Sequence, residues 1–235
     1  LGSMKLLKAN LTYVTPVIPA QIESIKYGRL YNWHAATDVR NICAAGWHIS
    51  SEAESVTFIT YLGGYNQAGK IKETGLTYWN TPNTNATNEV GFNARGAGYR
   101  SEIDGTFDDL KDWMGWWLID DDPEYPSDAM YQHAQYNLGT FVSAGSNWTD
   151  KKVGLSIRPV KDTTTLTHGQ TGIYTDPSGF IYRTICIGTM EIVADNIKTE
   201  HYRNGDAIPI VTDNAAWAAL TTGAMCAYDN DENNV

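Results

Sequence analysis

No stretch of these 235 residues approaches the ~20 consecutive apolar positions that a membrane-spanning helix needs, so no membrane insertion is expected. Basic residues are scarce: 17 Lys and Arg stand against 27 Asp and Glu, a net charge of −10. Such a balance argues against nucleic acid and anionic lipid as partners, because both select a basic face. Cysteine is nearly missing. Cys43, Cys186 and Cys226 are odd in number and widely spaced, and they form neither a metal box nor a secure disulfide framework. That usage fits synthesis in a reducing compartment. His34, His48, His133, His168 and His201 are scattered, and none stands at metal-ligand spacing or beside a Ser or Cys nucleophile. No catalytic residue, metal or cofactor is therefore expected. Asp229-Asn-Asp-Glu232 offers hard oxygens of the kind Ca²⁺ takes, but it lacks the spacing and the glycine of a calcium loop.

What the chain does have is turn chemistry and aromatics. Glycine occurs 21 times, Trp 8 times and Tyr 14 times. Gly, Asn, Asp, Ser and Thr recur every few residues, which predicts short strands, long loops and few helices. Leu1-Gly-Ser before Met4 reads as a tag scar. Met4-Lys-Leu-Leu-Lys8 starts like a signal peptide, but Lys8, Asn10, Thr12 and Thr15 interrupt the apolar region, and no secretion signal is expected. Residues 4–25 read as an N-terminal arm. Pro16 and Pro19 exclude a helix there, and Leu6, Leu7, Leu11, Tyr13, Val17 and Ile18 make it apolar enough to expect a contact between subunits.

Two main helices are expected, near 51–62 and 213–220. Ser50 or Ser51 caps the first and Gly63-Gly64 stops it, while Asp213 caps the second. A further short helix fits 68–73. The run Phe180-Ile-Tyr-Arg-Thr-Ile-Cys-Ile187 is the strongest strand signal. Residues 163–172 have linker composition. The segment 154–160 alternates with period 2 and reads as a strand. Trp113-Met-Gly-Trp-Trp-Leu118 packs three tryptophans around Gly115 and reads as a rigid frame. Between these, 119–152 is polar and shows neither helical nor strand period. Its density of Tyr, Asn and Ser matches the vocabulary of recognition surfaces, where Tyr gives contact area at low entropy cost and Ser and Asn give adaptable hydrogen bonds. The candidate ligand-binding residues are Tyr125, Ser127, Asp128, Tyr131, His133, Gln135, Tyr136, Asn137, Thr140, Phe141, Ser143, Ser146 and Asn147.

Several segments taken together resemble the Fibrobacter succinogenes major paralogous domain, of the wider C-type-lectin-like group. They include Tyr27-Gly-Arg-Leu-Tyr-Asn-Trp33, Cys43-Ala-Ala-Gly-Trp-His48, Lys72-Glu-Thr-Gly75, Thr87-Asn-Glu-Val-Gly-Phe-Asn93, Trp116-Trp117 and Gly154-Leu-Ser-Ile-Arg158. In the last third they are Gly179-Phe-Ile-Tyr182, Ala194-Asp-Asn-Ile-Lys198, Ile208-Pro-Ile-Val-Thr-Asp213 and Tyr228-Asp-Asn-Asp231. The resemblance implies an α+β, C-type-lectin-like fold with short twisted antiparallel strands, two main helices and long loops. It also implies a free Cys43, because Pro159 stands where relatives carry the partner cysteine. In the resembling family the 179–232 portion comes first. The expected organisation is thus one circularly permuted domain over 26–235, with 26–162 as its main part, 163–172 as a linker and 173–235 as the displaced part. Strand 180–187 is expected to pair with 154–160. A subunit-swapped oligomer is the other arrangement that order allows.

The resemblance further suggests a binding module. Similar proteins include phage receptor-binding proteins and the variable proteins of diversity-generating retroelements. The expected function is an adhesin module, at a phage tail or bacterial cell surface, that recognises a glycan or protein receptor through 120–148. A homo-oligomer is expected, a trimer by analogy with phage receptor-binding proteins. The alternatives are a structural or assembly module and, more remotely, an enzyme of the formylglycine-generating type, whose reactive cysteine pair this chain lacks.

Overall fold

The computed structural model describes residues 22–141 and 147–235. Most of the arm at 4–25, and Ser143 and Ser146, lie outside the described residues. In chain order the elements are β1 (Leu30–Tyr31), α1 (Trp33–Ala36), β2 (Trp47–Ile49), α2 (Glu52–Leu62), β3 (Ala97–Arg100), β4 (Phe107–Leu110), β5 (Trp113–Asp121), β6 (Asp128–Gln135) and β7 (Trp148–Asp150). There follow β8 (Pro159–Lys161), β9 (Thr171–Thr175), β10 (Ile181–Ile187), β11 (Met190–Val193), α3 (Asn214–Ala218) and β12 (Met225–Cys226). Strand dominates over helix, and the architecture is α+β.

Two five-stranded sheets carry the chain, in the orders β2-β8-β11-β10-β9 and β4-β3-β5-β6-β7, with β1-β12 as a separate ribbon. In the second sheet β3 and β5 run parallel and the other pairs antiparallel. One apolar cluster, with Phe58, Phe92, Trp116, Met130 and Ile187, packs α2 against both sheets. Another gathers Tyr31, Trp47, Trp117, Tyr174 and Tyr182 around Leu155 and Ile157.

Helix α2 forms where its signals stand. Ser51 accepts from the Glu54 amide at 3.3 Å, the Glu54 carboxylate accepts from the Ser51 amide at 2.8 Å, and Gly63 ends the helix at φ 104°. The second expected helix is short, Asn214–Ala218, capped by Asp213. Instead of a helix at 68–73 there is a 3₁₀ stretch at Tyr65–Lys70.

Three strand expectations are corrected. First, β10 does not pair with 154–160. It pairs with β9 and β11, and β11 in turn pairs with β8. The reason is a tight turn: Gly188 at φ 66° lets Met190 pair back onto Ile187, so β11 takes the edge that β8 would have used. Second, residues 154–158 form no regular strand. Every residue from 153 to 160 is buried, and single bridges tie Leu155 to Tyr31, Gly154 to Arg100 and Ser156 to Trp116. This segment is a thread between sheets and not an edge of one. Third, 119–152 is not loop throughout. It holds the end of β5, the eight-residue β6 and β7.

Buried cations fasten the halves of the chain together. Arg100 donates to the carbonyls of Gly105, Val211 and Thr212 and to Asn214, with its guanidinium against Phe107 and Trp217. Arg158 donates to the carbonyls of Phe92 and Asn93 and to Asn196. Lys72 gives its ammonium to the carbonyls of Gln135 and Leu138, both at 2.9 Å, which pins the chain as it leaves β6. Burial pushes the Lys72 pKa down to about 8. The three cysteines are buried and unpaired.

Candidate functional site

The site begins with a glycine. Gly115 in β5 lies directly across from His133 in β6. A side chain at 115 would sit 2.0 Å from the Trp113 ring, so glycine is what allows that indole to fold back over the sheet. The indole stacks on His133 with centroids 5.5 Å apart and planes at 27°. Tyr131 also stacks on this imidazole, at 5.6 Å and 28°, and meets the indole itself at 5.7 Å. Tyr99 of β3 meets Trp113 edge-on at 5.8 Å. These rings wall a cleft of about 310 Å³ whose lining also includes Val153, Leu155, Thr149 and the carboxylates of Glu102 and Asp109.

His133 supports this wall from beneath. It is only 6% exposed, its Nδ1 has no hydrogen-bond partner, and burial lowers its pKa to about 4. The imidazole is therefore neutral at neutral pH. On the acidic side several carboxylates lie close together. Burial raises the Asp109 pKa, with Asp112 and Asp108 adding to the effect. The Tyr99 phenol is raised by burial and then by Asp108, Asp109, Glu102 and Asp104.

A larger, shallower groove of about 450 Å³ runs between His34, Ser127, Lys151, Lys152 and the end of α3. Its two lysines are already engaged. Lys151 donates to the Pro126 carbonyl at 2.8 Å, lies over Trp33, and reaches Asp121 at 3.4 Å. Lys152 pairs with Asp150 at 3.8 Å. The aromatic cleft is the better candidate because its rings and carboxylates have not been spent in this way.

The structure scatters the candidate residues read from the sequence. Tyr131 lines the cleft, and Gln135 sits beside His133 with its amide 3.3 Å from Nε2. Ser127 lines the shallower groove and donates to Asp128 at 2.7 Å. Tyr125, Asn137 and Thr140 are exposed away from the cleft lining. Tyr136 is half-buried against the core. Three expectations are corrected. Phe141 is a core residue, packed on Phe58. Asn147 is buried and donates to Gln132. His133 is likewise buried, under the aromatic wall. Polar or aromatic composition did not separate these inward positions from outward ones. Tyr99, Glu102, Asp109 and Thr149 were not anticipated, and Trp113, read as frame, is half-exposed in the cleft wall. The sequence signals for the cleft were Tyr131 and Gly115 between tryptophans.

The acidic end at 229–232 has another use. Glu232 takes Arg29 with both oxygens, at 2.9 and 2.8 Å, and Asp231 caps the final turn. Among the described residues no group of three or more His, Cys, Asp or Glu side chains is placed to hold a metal ion.

Fold and cleft together define a sheet-rich α+β protein with an aromatic recess on its second sheet. The sequence pattern of the Fibrobacter succinogenes major domain matches residues 8–161, well over half of the chain, and the protein belongs to that family. No curated protein and no solved structure matches it. The matched span ends with β8, yet β9 to β12 pair with or sit among the matched strands.

Proposed function

We propose that this protein is a ligand-binding module of adhesin type, built on a C-type-lectin-like fold and recognising a receptor through the aromatic cleft on β3, β5 and β6. The observation that carries the reading is the cleft itself. Three aromatic rings are held half-open to solvent by a glycine contact and a buried histidine, and binding sites characteristically combine apolar walls with a few placed polar groups. Of the segment 120–148 this surface takes only Tyr131, and the rest of its lining comes from β3 to β5 and from 149–155. Receptor capture at a phage tail or bacterial surface, and assembly into a homo-oligomer through the arm, belong to the same proposal.

The thiols argue against a formylglycine-generating type of enzyme. Cys43, Cys186 and Cys226 all have raised pKa values from burial, Cys226 to about 12, whereas a reactive cysteine needs an accessible thiolate.

The test is capture on bacterial envelopes or a glycan array. Tyr131→Ala is expected to cut capture about thirtyfold, the cost of ~2 kcal/mol at a hot spot. Tyr125→Ala, outside the cleft, is expected to change little. Equal capture by wild type and Tyr131→Ala, both folded by circular dichroism, would move the proposal to a purely structural or assembly role.

A further inference from the structure

We infer that the aromatic cleft takes a weakly hydrated organic cation, a quaternary ammonium group, held between the ring faces and the carboxylates of Glu102 and Asp109. The inference deepens the preceding reading and rests on the cleft being the recognition site. Its first support is the wall. Tyr99, Trp113 and Tyr131 converge on one recess, with ring centroids 5.7 to 5.8 Å apart where they meet. Electron-rich aromatic faces attract cations, and Trp and Tyr do so best.

The second support is unbalanced charge. Glu102 and Asp109 form no ion pair and no side-chain hydrogen bond with another described residue, and neither Asp108 nor Asp112 is paired with a base. Lys111 stands beside Asp112 without an ion pair to a described residue, a single cation among Glu102, Asp104, Asp108, Asp109 and Asp112. The other nearby bases are committed elsewhere. Arg100 is buried on backbone carbonyls, Lys151 holds Pro126, and Lys152 lies near Asp150. The third support is the layer beneath. A protonated imidazole behind the rings would repel a cation, but the buried His133 stays neutral. The recess of about 310 Å³ is at the small end of ligand sites, which suits a head group better than an extended chain. A compact primary ammonium is strongly hydrated and would retain water. A methylated one loses less on entering a site that offers rings and only two carboxylates.

Choline is the probe, titrated into the full-length protein and followed by the proton NMR signal of its methyl groups. A saturable upfield shift is expected, because methyls seated on ring faces feel the ring currents. The uncharged isostere 3,3-dimethylbutan-1-ol is expected to bind at least tenfold more weakly, and lysine amide to fall between them. The double change Glu102→Gln with Asp109→Asn should weaken choline at least tenfold while leaving the fold intact, since Asn accepts the φ of 61° found at 109. Trp113→Phe should reduce the shift, and serves if a smaller substitution at 113 unfolds the sheet. Equal affinity for choline and its isostere, an unsaturable choline response, or indifference to the double change would overturn the inference. If Tyr131→Ala abolishes envelope capture but choline neither binds nor competes, the cleft is the site and its ligand is not a cation. If Tyr131→Ala leaves capture intact, the site assignment itself has failed.

Discussion

At the scale of single residues, His133 shows how a polar side chain can be structural and still carry a measurable signature. Its ring packs against both Trp113 and Tyr131, and burial lowers its pKa to about 4 from an ordinary 6.5. The sign follows from proton counting. Above pH 6.5 the imidazole is neutral in both folded and unfolded chains and contributes no pH dependence. As pH falls below 6.5 the unfolded chain takes up the proton first, so stability is lost until about pH 4, where the folded protein follows. The gap corresponds to about 3 kcal/mol. His48 works in the opposite sense. Burial disfavours its charge, but hydrogen bonds to Asp162 and Glu54 outweigh that and raise its pKa. Urea melts of wild type and His133→Phe at pH 7, 5.5 and 4 separate the two. The variant keeps the stacking but not the titration, and is expected to lose up to about 3 kcal/mol less between pH 7 and 4. The same pH dependence in both proteins would mean that His133 titrates normally.

At the scale of elements, legibility depended on whether a segment had one buried face or two. Helix α2 was readable because its signals are local: Ser51, Glu54 and Gly63 act within one turn of the helix ends. The structure adds a partner that the sequence hid. Asp120 accepts from the Glu52 amide at 2.6 Å and so helps close the same helix start from the end of β5. Ser51→Ala is therefore expected to cost about 1 kcal/mol, lowering Tm by about 2–4 °C. A thermal melt unchanged within a degree would remove the cap from this account. Strand β6 was not readable. Met130, Gln132 and Ala134 are buried on one side, and Tyr131 and His133 are covered by Trp113 on the other, so no alternation of apolar and polar survives. The thread at 154–158 misled in the reverse direction, since its alternating residue types are buried all round. The cleft was legible only through Tyr131 and the glycine among tryptophans. Tyr99, Glu102 and Asp109 reach it from β3, its following turn and β4, a convergence that only the sheet order β4-β3-β5-β6 creates.

At the scale of the whole molecule, the question is why a chain whose segments resemble a family in permuted order forms one body. The seam between 22–161 and 173–235 is built from buried contacts. Arg29 reaches Glu200 and Glu232, Asn196 gives its amide to the Tyr27 carbonyl, and β1 pairs with β12. Gly28 lies so close to Asn196 that a side chain there would approach it to 2.7 Å. Most telling, the Tyr27 amide donates to the Asn234 carbonyl at 3.1 Å, and the Lys26 ammonium to its side chain at 2.9 Å. The segment 232–235 thus sits where the family order would run on into Tyr27. Residues 163–172 pass along β10 instead, with Cys186 exchanging backbone hydrogen bonds with Gly169 and Gln170. If the order is a permutation, the reverse rearrangement should fold. A chain opened before Thr163, with Val235 joined to Lys26 through a few glycines, is expected to unfold cooperatively and keep the near-ultraviolet circular dichroism of its tryptophans. Some stability will be lost with the omitted residues. Ile25 is buried, and Glu23 pairs with Lys198 at 3.1 Å. The removal of one buried isoleucine costs about 2 kcal/mol and the exposed pair little, which sets the expected fall in Tm at about 4–8 °C. A rearranged chain with no near-ultraviolet signal would show that the present order is needed for folding. The 173–235 portion would then be an addition to the family domain, and not its displaced beginning.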